Sequence, residues 1–478
     1  MLDPLYKRTK IVATIGPATQ RPQTLRQIVE AGVNVARLNF SHGTHESHGA
    51  TIADLRELSA ATGRQLAVLA DLPGPKVRTG TLPPGLDTVR LEAGHAFTLS
   101  TTQTEGSDRG VWINYAGLPH DVEPGKALYL ADGAIALRIE TTSADRIETR
   151  VVTGGDLRAQ QGINYPDGTL AIEAVTDRDF EHLTFALDAG VDWIAVSFVK
   201  TAEDVVRVKR FIAGRGFNVP VIAKIEKHEA LGAIDDILVV ADGIMVARGD
   251  LGIEIPLERV PLVQKDLIAR ANRASKPVIT ATQMLESMIA SPRPTRAEAT
   301  DVANAIIDGT DAVMLSGETA RGAYPVEAVR VMATIARQVE RGYYPHTFLR
   351  ARRMETTNRN AETSIAESAA QMAEELGVDS IVTGTSTGNT ARYIASFRPR
   401  ARVIAMTHVP QVARRLALVW GVDALVVEPY KYFESLITLI ETRMLRENLA
   451  SSGETIVITS GMPVGEGGTN VLKVHALP

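Results

Sequence analysis

Val221-Ile222-Ala223-Lys224-Ile225-Glu226, followed about two dozen residues later by Ala247-Arg248-Gly249-Asp250, decides how this chain is read. Each segment closes an apolar, strand-like run with charge. In the first, the two-residue period of a strand sends Lys224 and Glu226 to one face, where charges are costly in a core unless paired or metal-bound. One ammonium and two carboxylates at successive strand ends suit a hard cation such as Mg²⁺ or Mn²⁺ held together with a phosphate. The alternative is a rim ion pair, with Glu226 or Asp250 merely facing Lys224 or Arg248.

Working outward, the same rhythm of a short β-branched run and a longer helical pattern recurs between residues 10 and 340. The predicted strands are Lys10 to Ile15, Val33 to Asn39, Gln65 to Asp71, Asp192 to Phe198, Val219 to Ile225, Gly243 to Ala247, Pro277 to Thr282 and Ala312 to Leu315. Eight such units predict an α/β fold with a closed (βα)8 TIM barrel, whose chemistry collects at the C-terminal strand ends. Arg37, Asn39, Asp71, Lys224, Glu226, Asp250, Thr282 and Ser316 fall there.

Arg37 ends one strand and Arg78 lies just past another, where guanidinium forks suit bidentate phosphate binding. A single arginine is more often a solvated charge, but several cations converging with two carboxylates point to an anionic substrate and a metal. Gly249 and Gly252 flank Asp250 and permit close backbone approach. Thr282 offers a hydroxyl to a substrate carboxylate, or is simply a β-former. Ser316-Gly317-Glu318 relays protons or makes a turn or cap. His42, His45 and His48 form no HExxH pattern and read as a solvated polar segment.

After the third strand, Pro73-Gly74-Pro75 opens a stretch of short alternating runs at Leu86 to Leu99, Ala127 to Leu130, Ile135 to Ile139 and Arg146 to Val152. An all-β insert over residues 75–164, a small β-barrel, is therefore expected between barrel segments 1–74 and 165–340. Leaving the barrel at a catalytic-end loop, it is placed to act as a lid. Beyond a polar stretch near Arg350 to Asn360, residues 341–478 read as an open α/β domain. It comprises the helical pattern Ala361 to Leu376 and strands at Ser380 to Thr383, Val403 to Met406, Ala424 to Val427, Thr455 to Thr459 and Val471 to His475. In it, Thr385-Ser386-Thr387-Gly388-Asn389-Thr390 links a strand to a helix and reads as helix capping or as an anion site for a regulatory phosphate.

Bulk properties narrow the classes. A chain of 478 residues predicts roughly three domains. A net charge of -5 and a pI near 6.1 argue against nucleic-acid or membrane partners, so any phosphate chemistry is local. The absence of cysteine excludes disulfides and thiolate chemistry. Met1 to Lys10 lacks the apolar h-region of a signal peptide, and the expected location is cytoplasmic.

These residues resemble one family, the pyruvate kinases, along nearly the whole chain. The resemblance rests on Lys10 to Ala18, Arg37-Leu38-Asn39-Phe40-Ser41-His42-Gly43, Val221 to Glu226, Met245 to Gly252, Ala281 to Met288 and Pro294 to Glu298. It implies phosphoryl transfer from phosphoenolpyruvate to ADP, giving pyruvate and ATP, in a homotetramer with a C-terminal effector domain. Glu226 and Asp250 are implied as ligands of the divalent ion. Lys224 is implied to stabilise charge on the transferring group and the enolate. Arg37, Asn39, Arg78 and Asp132 are implied as phosphoryl and nucleotide contacts. Arg37, Arg248, Gly249, Asp250 and Thr282 are implied to hold the substrate, and a water near Thr282 and Ser316 to protonate the enolate.

Three departures stand out. Many members bind K⁺ with residues matching Asn39, Ser41, Asp71 and position 72 and carry a glutamate at position 76; here those last two are Leu72 and Lys76. The expectation is that the Lys76 ammonium replaces the ion and that K⁺ is not required, as in the K⁺-independent branch. Ala131-Asp132-Gly133 keeps one of two usual aspartates, and Gln161 stands where a nucleotide-contacting lysine is common. The effector implied for residues 385–390 is a phosphosugar or AMP. Competing readings are a metal-dependent carbon–carbon lyase acting on a pyruvate enolate, which has no need of Lys224, and a non-enzymatic metabolite-sensing scaffold, which would not keep the rim charges.

Overall fold

In the computed structural model, which describes residues 6–342, 360–462 and 468–478, eight parallel strands close into a barrel. They are Lys10–Thr14, Val35–Asn39, Ala67–Asp71, Trp193–Val196, Val221–Ile225, Gly243–Ala247, Val278–Ala281 and Ala312–Leu315. The first pairs with the eighth, Lys10 opposite Ala312, and that contact shuts the ring. All eight are buried almost throughout, which explains why their sequences are continuous apolar runs instead of alternating ones.

The chain leaves the barrel after the third strand and rejoins it at the fourth. The intervening residues form two sheets, and Arg78 and Thr79 bridge the two edges of the larger one, to Gly162 and to Ile113. The larger, six-stranded sheet runs in the order Ile163–Asn164, Ala127–Leu130, Ile135–Thr142, Arg146–Thr153, Ala96–Ser100, Gly110–Trp112. Thr88–Leu91 pairs separately with Gly155–Arg158. The single strand expected from Leu86 to Leu99 is thus two strands in different sheets, divided by a turn in which Gly94 takes φ +87°.

The C-terminal unit is a five-stranded sheet in the order Val422–Val426, Arg402–Thr407, Ser380–Gly384, Thr455–Ser460, Val471–Ala476, with the last strand antiparallel at the edge. Its lead helix, Ala361–Leu376, starts with a capping box between Asn360 and Thr363. Nearly all of the polar stretch expected to divide it from the barrel lies outside the described residues.

This unit seals the floor of the barrel. Leu418 is fully buried in the cluster that fills the barrel, with Val12, Leu69, Trp193, Ile222 and Met314. Around that plug, Arg398 reaches both oxygens of Asp311 at 3.0 and 3.1 Å, and Arg414 meets Asp192 at 2.8 Å. Both ends of the Arg398–Asp311 pair are buried, so its charges compensate one another away from water.

Candidate active site

The opposite, C-terminal end of the barrel opens into a cavity of about 540 Å³. Arg37, Asn39, Ser41, Lys76, Arg78, Lys224, Glu226 and Asp250 all line it, so the structure brings together eight residues singled out from the sequence.

A buried charge chain forms its wall. Arg37 Nε donates to Asp71 Oδ2 at 2.6 Å, and its Nη1 donates to Thr14 Oγ1 at 2.9 Å. Lys224 Nζ lies 3.2 Å from Asp71 Oδ1 and 2.9 Å from Glu226 Oε1, and donates to Ser197 Oγ at 2.7 Å. Burial alone would push the Asp71 carboxyl up, but Lys224 and Arg37 outweigh it and hold it below its ordinary range. Burial likewise works against the Lys224 ammonium, and Asp71 and Glu226 overcome it, raising its pKa. At Glu226, burial pushes the carboxyl up, Lys224 pulls against it, and the like charge of Asp250 adds to the rise. Glu226 also accepts the Phe198 N–H at 2.8 Å.

Lys76 faces Asp250 at 3.2 Å and Asp132 at 3.8 Å. Its ion pairs are therefore with these carboxylates and not with Asp71, whose charge is met by Arg37 and Lys224. Asn39 Oδ1 accepts the Ser41 N–H, closing the turn at the end of the second strand. Arg78 is anchored through Gln160 O at 2.9 Å, while Gln161 turns back to the Arg158 N–H. Asp132 is exposed on a turn with φ +53°.

Four other residues singled out from the sequence, Arg248, Gly249, Thr282 and Ser316, lie outside the cavity lining. The Arg248 side chain does not line the cavity. It pairs with Asp301 at 2.8 Å and donates to Gln264, to Ala281 O and to Thr282 O, which fastens the loop after the seventh strand. Thr282, at φ +67°, accepts the Gly249 N–H at 2.8 Å and donates to Ala281 O, so these two residues do meet, outside the cavity lining. Ser316 Oγ is buried without a partner among the described residues, and Glu318 accepts the N–H groups of Leu285 and Ser316.

The histidine segment is less solvated than expected. Only His42 is exposed and lines the cavity, whereas His48 stacks on Phe40 at 4.4 Å and His45 stacks on Phe185 at 4.3 Å while bonding His182. Sequence reasoning also passed over Thr14, Ser197, Phe198 and Arg178. Ser197 and Phe198 close a predicted strand, which was the available signal; Arg178 sits in a helical first turn and gave none.

In residues 385–390, Thr385 Oγ1 accepts the Gly388 N–H at 2.8 Å and the Thr390 hydroxyl meets that of Thr469. The helix Asn389–Ser396 begins there, with Ser386 and Thr387 exposed.

Two carboxylates and a ring of ammonium and guanidinium groups at a barrel mouth define an enzyme built for an anionic substrate and a hard divalent cation. The donor set fits such an ion, being all oxygen and partly buried. Residues 6–329 match the family model described as pyruvate kinase, barrel domain, and residues 363–475 match pyruvate kinase, alpha/beta domain. The chain belongs to the pyruvate kinase family. It is 45% identical over 477 residues to a pyruvate kinase of Geobacillus stearothermophilus, covering 99% of this chain and 81% of that protein. It is 44% identical over 483 residues to pyruvate kinase 2 of Synechocystis sp., covering 99% and 80%. A solved pyruvate kinase from Cryptosporidium parvum superposes with a TM-score of 0.93 at 37% identity, covering 99% of this chain and 96% of that one. These matches make the chain a phosphotransferase and give the lyase and scaffold readings no support. Among the described residues no helix is long and apolar enough to cross a membrane.

Proposed function

We propose that the wall of Arg37, Asp71, Lys224 and Glu226 carries the pyruvate kinase reaction, transfer of the phosphoryl group of phosphoenolpyruvate to ADP. The observation behind this assignment is the Lys224 ammonium, buried between two carboxylates yet lining the cavity. Glu226 and Asp250 are the residues that would hold Mg²⁺ or Mn²⁺, which supplies charge neutralisation at the phosphoryl oxygens. Lys224 stabilises negative charge that grows on the transferring group and on the enolate. Asp71 and Ser197 fix its Nζ, and Arg37, fixed by Asp71 and Thr14, presents its remaining N–H groups to the phosphoryl oxygens.

Gly249, Asp250 and Thr282 are assigned to the substrate carboxylate, and Asn39, Arg78 and Asp132 to the nucleotide. A water at the buried Ser316 hydroxyl is assigned the protonation of the enolate carbon, an assignment supported by that oxygen having no protein partner among the described residues. Lys76 supplies a fixed monovalent charge at Asp250, so turnover does not need K⁺. The insert, 75–164, acts as a lid over the nucleotide. The unit from 341 to 478 binds a phosphosugar or AMP at residues 385–390, and the assembly is a cytoplasmic homotetramer.

The experiment mixes purified protein with phosphoenolpyruvate, ADP and Mg²⁺ and measures pyruvate. A Lys224→Met variant retaining the full rate would sink the role given to that residue.

A further inference from the structure

The two connectors that join the insert to the barrel run side by side, with Ile163 N donating to Val77 O at 2.8 Å and Arg78 bridged to Gly162. Each sends one side chain to the short helix Arg248–Glu254, and they grip it at opposite ends. Lys76, on the outgoing connector, meets Asp250 in the first turn. Asn164, on the returning connector, donates from Nδ2 to Glu254 Oε1 at 3.0 Å at the last residue. Gly162 makes the first grip feasible, since a Cβ there would lie 2.6 Å from Lys76 Cε.

Glu254 is a junction. Its side chain is wholly buried, and besides Asn164 it takes the Lys227 ammonium at 2.8 Å and faces His228 Nδ1 at 3.4 Å. Lys227 is the residue next to Glu226, and Glu254 closes the helix that bears Asp250. His228, Glu229 and Glu254 offer ligand atoms within 4.8 Å of one another, but the Lys227 ammonium already supplies the cation at Glu254.

We propose that Glu254 is a positioning residue that ties the returning connector of the insert to both carboxylates assigned to the divalent ion, so that ion binding and insert position are coupled. The coupling runs through Asn164 on one side and Lys227 on the other. This inference rests on Glu226 and Asp250 being the ion's ligands. Partners that orient metal ligands typically carry a factor of about 10–100 in metal affinity.

Mn²⁺ binding, followed by the paramagnetic resonance of the free ion with no nucleotide present, tests the first half. Glu254→Gln should raise the Kd roughly 10–100-fold, with partial recovery in Glu254→Asp. Hydrogen exchange tests the second half. In the wild type, Mg²⁺ should slow exchange of the amides at 160–165, and in Asn164→Ala, which leaves the Glu254–Lys227 pair in place, that response should vanish while the fold, followed by circular dichroism, persists. Wild-type Mn²⁺ affinity in folded Glu254→Gln, or an unchanged Mg²⁺ response in Asn164→Ala, overturns the proposal. Glu226→Gln and Asp250→Asn serve as separate controls: if both bind Mn²⁺ like the wild type, the ligand assignment itself has failed and the coupling falls with it.

Discussion

Lys224 Nζ lies 2.9 Å from Glu226 Oε1, with Ile225, the last residue of the fifth barrel strand, between them in the chain. The strand period put them on one face; besides each other, Lys224 has Asp71 and Ser197, and Glu226 has the Phe198 N–H.

Removing that ammonium removes charge stabilisation that the reaction needs most at its transition state. Lys224→Met is expected to lower kcat by about 10²–10³-fold with a smaller change in KM for phosphoenolpyruvate, measured by coupled pyruvate assay. Full activity per folded molecule would show the residue to be structural only.

Lys76 beside Asp250 gives an expected rate that changes less than about twofold when K⁺ is replaced by tetramethylammonium, whose methyl shell keeps oxygen ligands from its charge. Gly162→Ala should displace the flexible Lys76 side chain, because the new methyl would stand 2.6 Å from Cε, and so lower activity in K⁺-free buffer. An absolute K⁺ requirement in the wild type refutes the assignment.

At the barrel floor, burial, with Lys10 adding like charge, pulls the Lys7 ammonium from 10.5 down to about 7. Between these values the unfolded chain holds a proton that the folded chain does not. Stability therefore rises with pH through this window, and below about 7 the folded form bears the full penalty. The measurement is urea unfolding of wild type and Lys7→Met from about pH 7 to about pH 9, where the wild type should gain on the variant. A difference independent of pH would contradict the shift.

Arg398→Met should destabilise the chain by about 3–5 kcal/mol, because it strands the buried Asp311 carboxylate. Asp311→Asn in the same chain should recover part of the loss, since the charge without a partner is then gone. Calorimetric unfolding of the single and double variants reads both, and strictly additive losses would argue against a direct pair.

The barrel was legible because its evidence is local. Each strand, buried on both faces, must be a continuous apolar run, and a strand end such as Asn39 or Glu226 is where polar residues return. The division of Leu86 to Leu99 between two sheets was not legible, because alternation survives across the Gly94 turn and strand pairing is not a local property. His48 looked solvated among polar neighbours, yet it stacks on Phe40, eight residues back, a ring that Phe185 also meets at 6.1 Å.

By itself, then, the sequence determined the eight-strand barrel and the charges at its mouth, which follow from periodicity and residue type, and its motifs carried the resemblance to one family. Tertiary structure alone decided which partner each charge takes. Arg248 turns to Asp301, 53 residues away, and Lys76 finds Asp250 across 174 residues. Glu254 gathers Asn164 from the insert, and Leu418 plugs the barrel floor from the far end of the chain. A buried charge must be compensated, but the compensating group is selected by proximity in the closed fold, and no local pattern encodes that proximity.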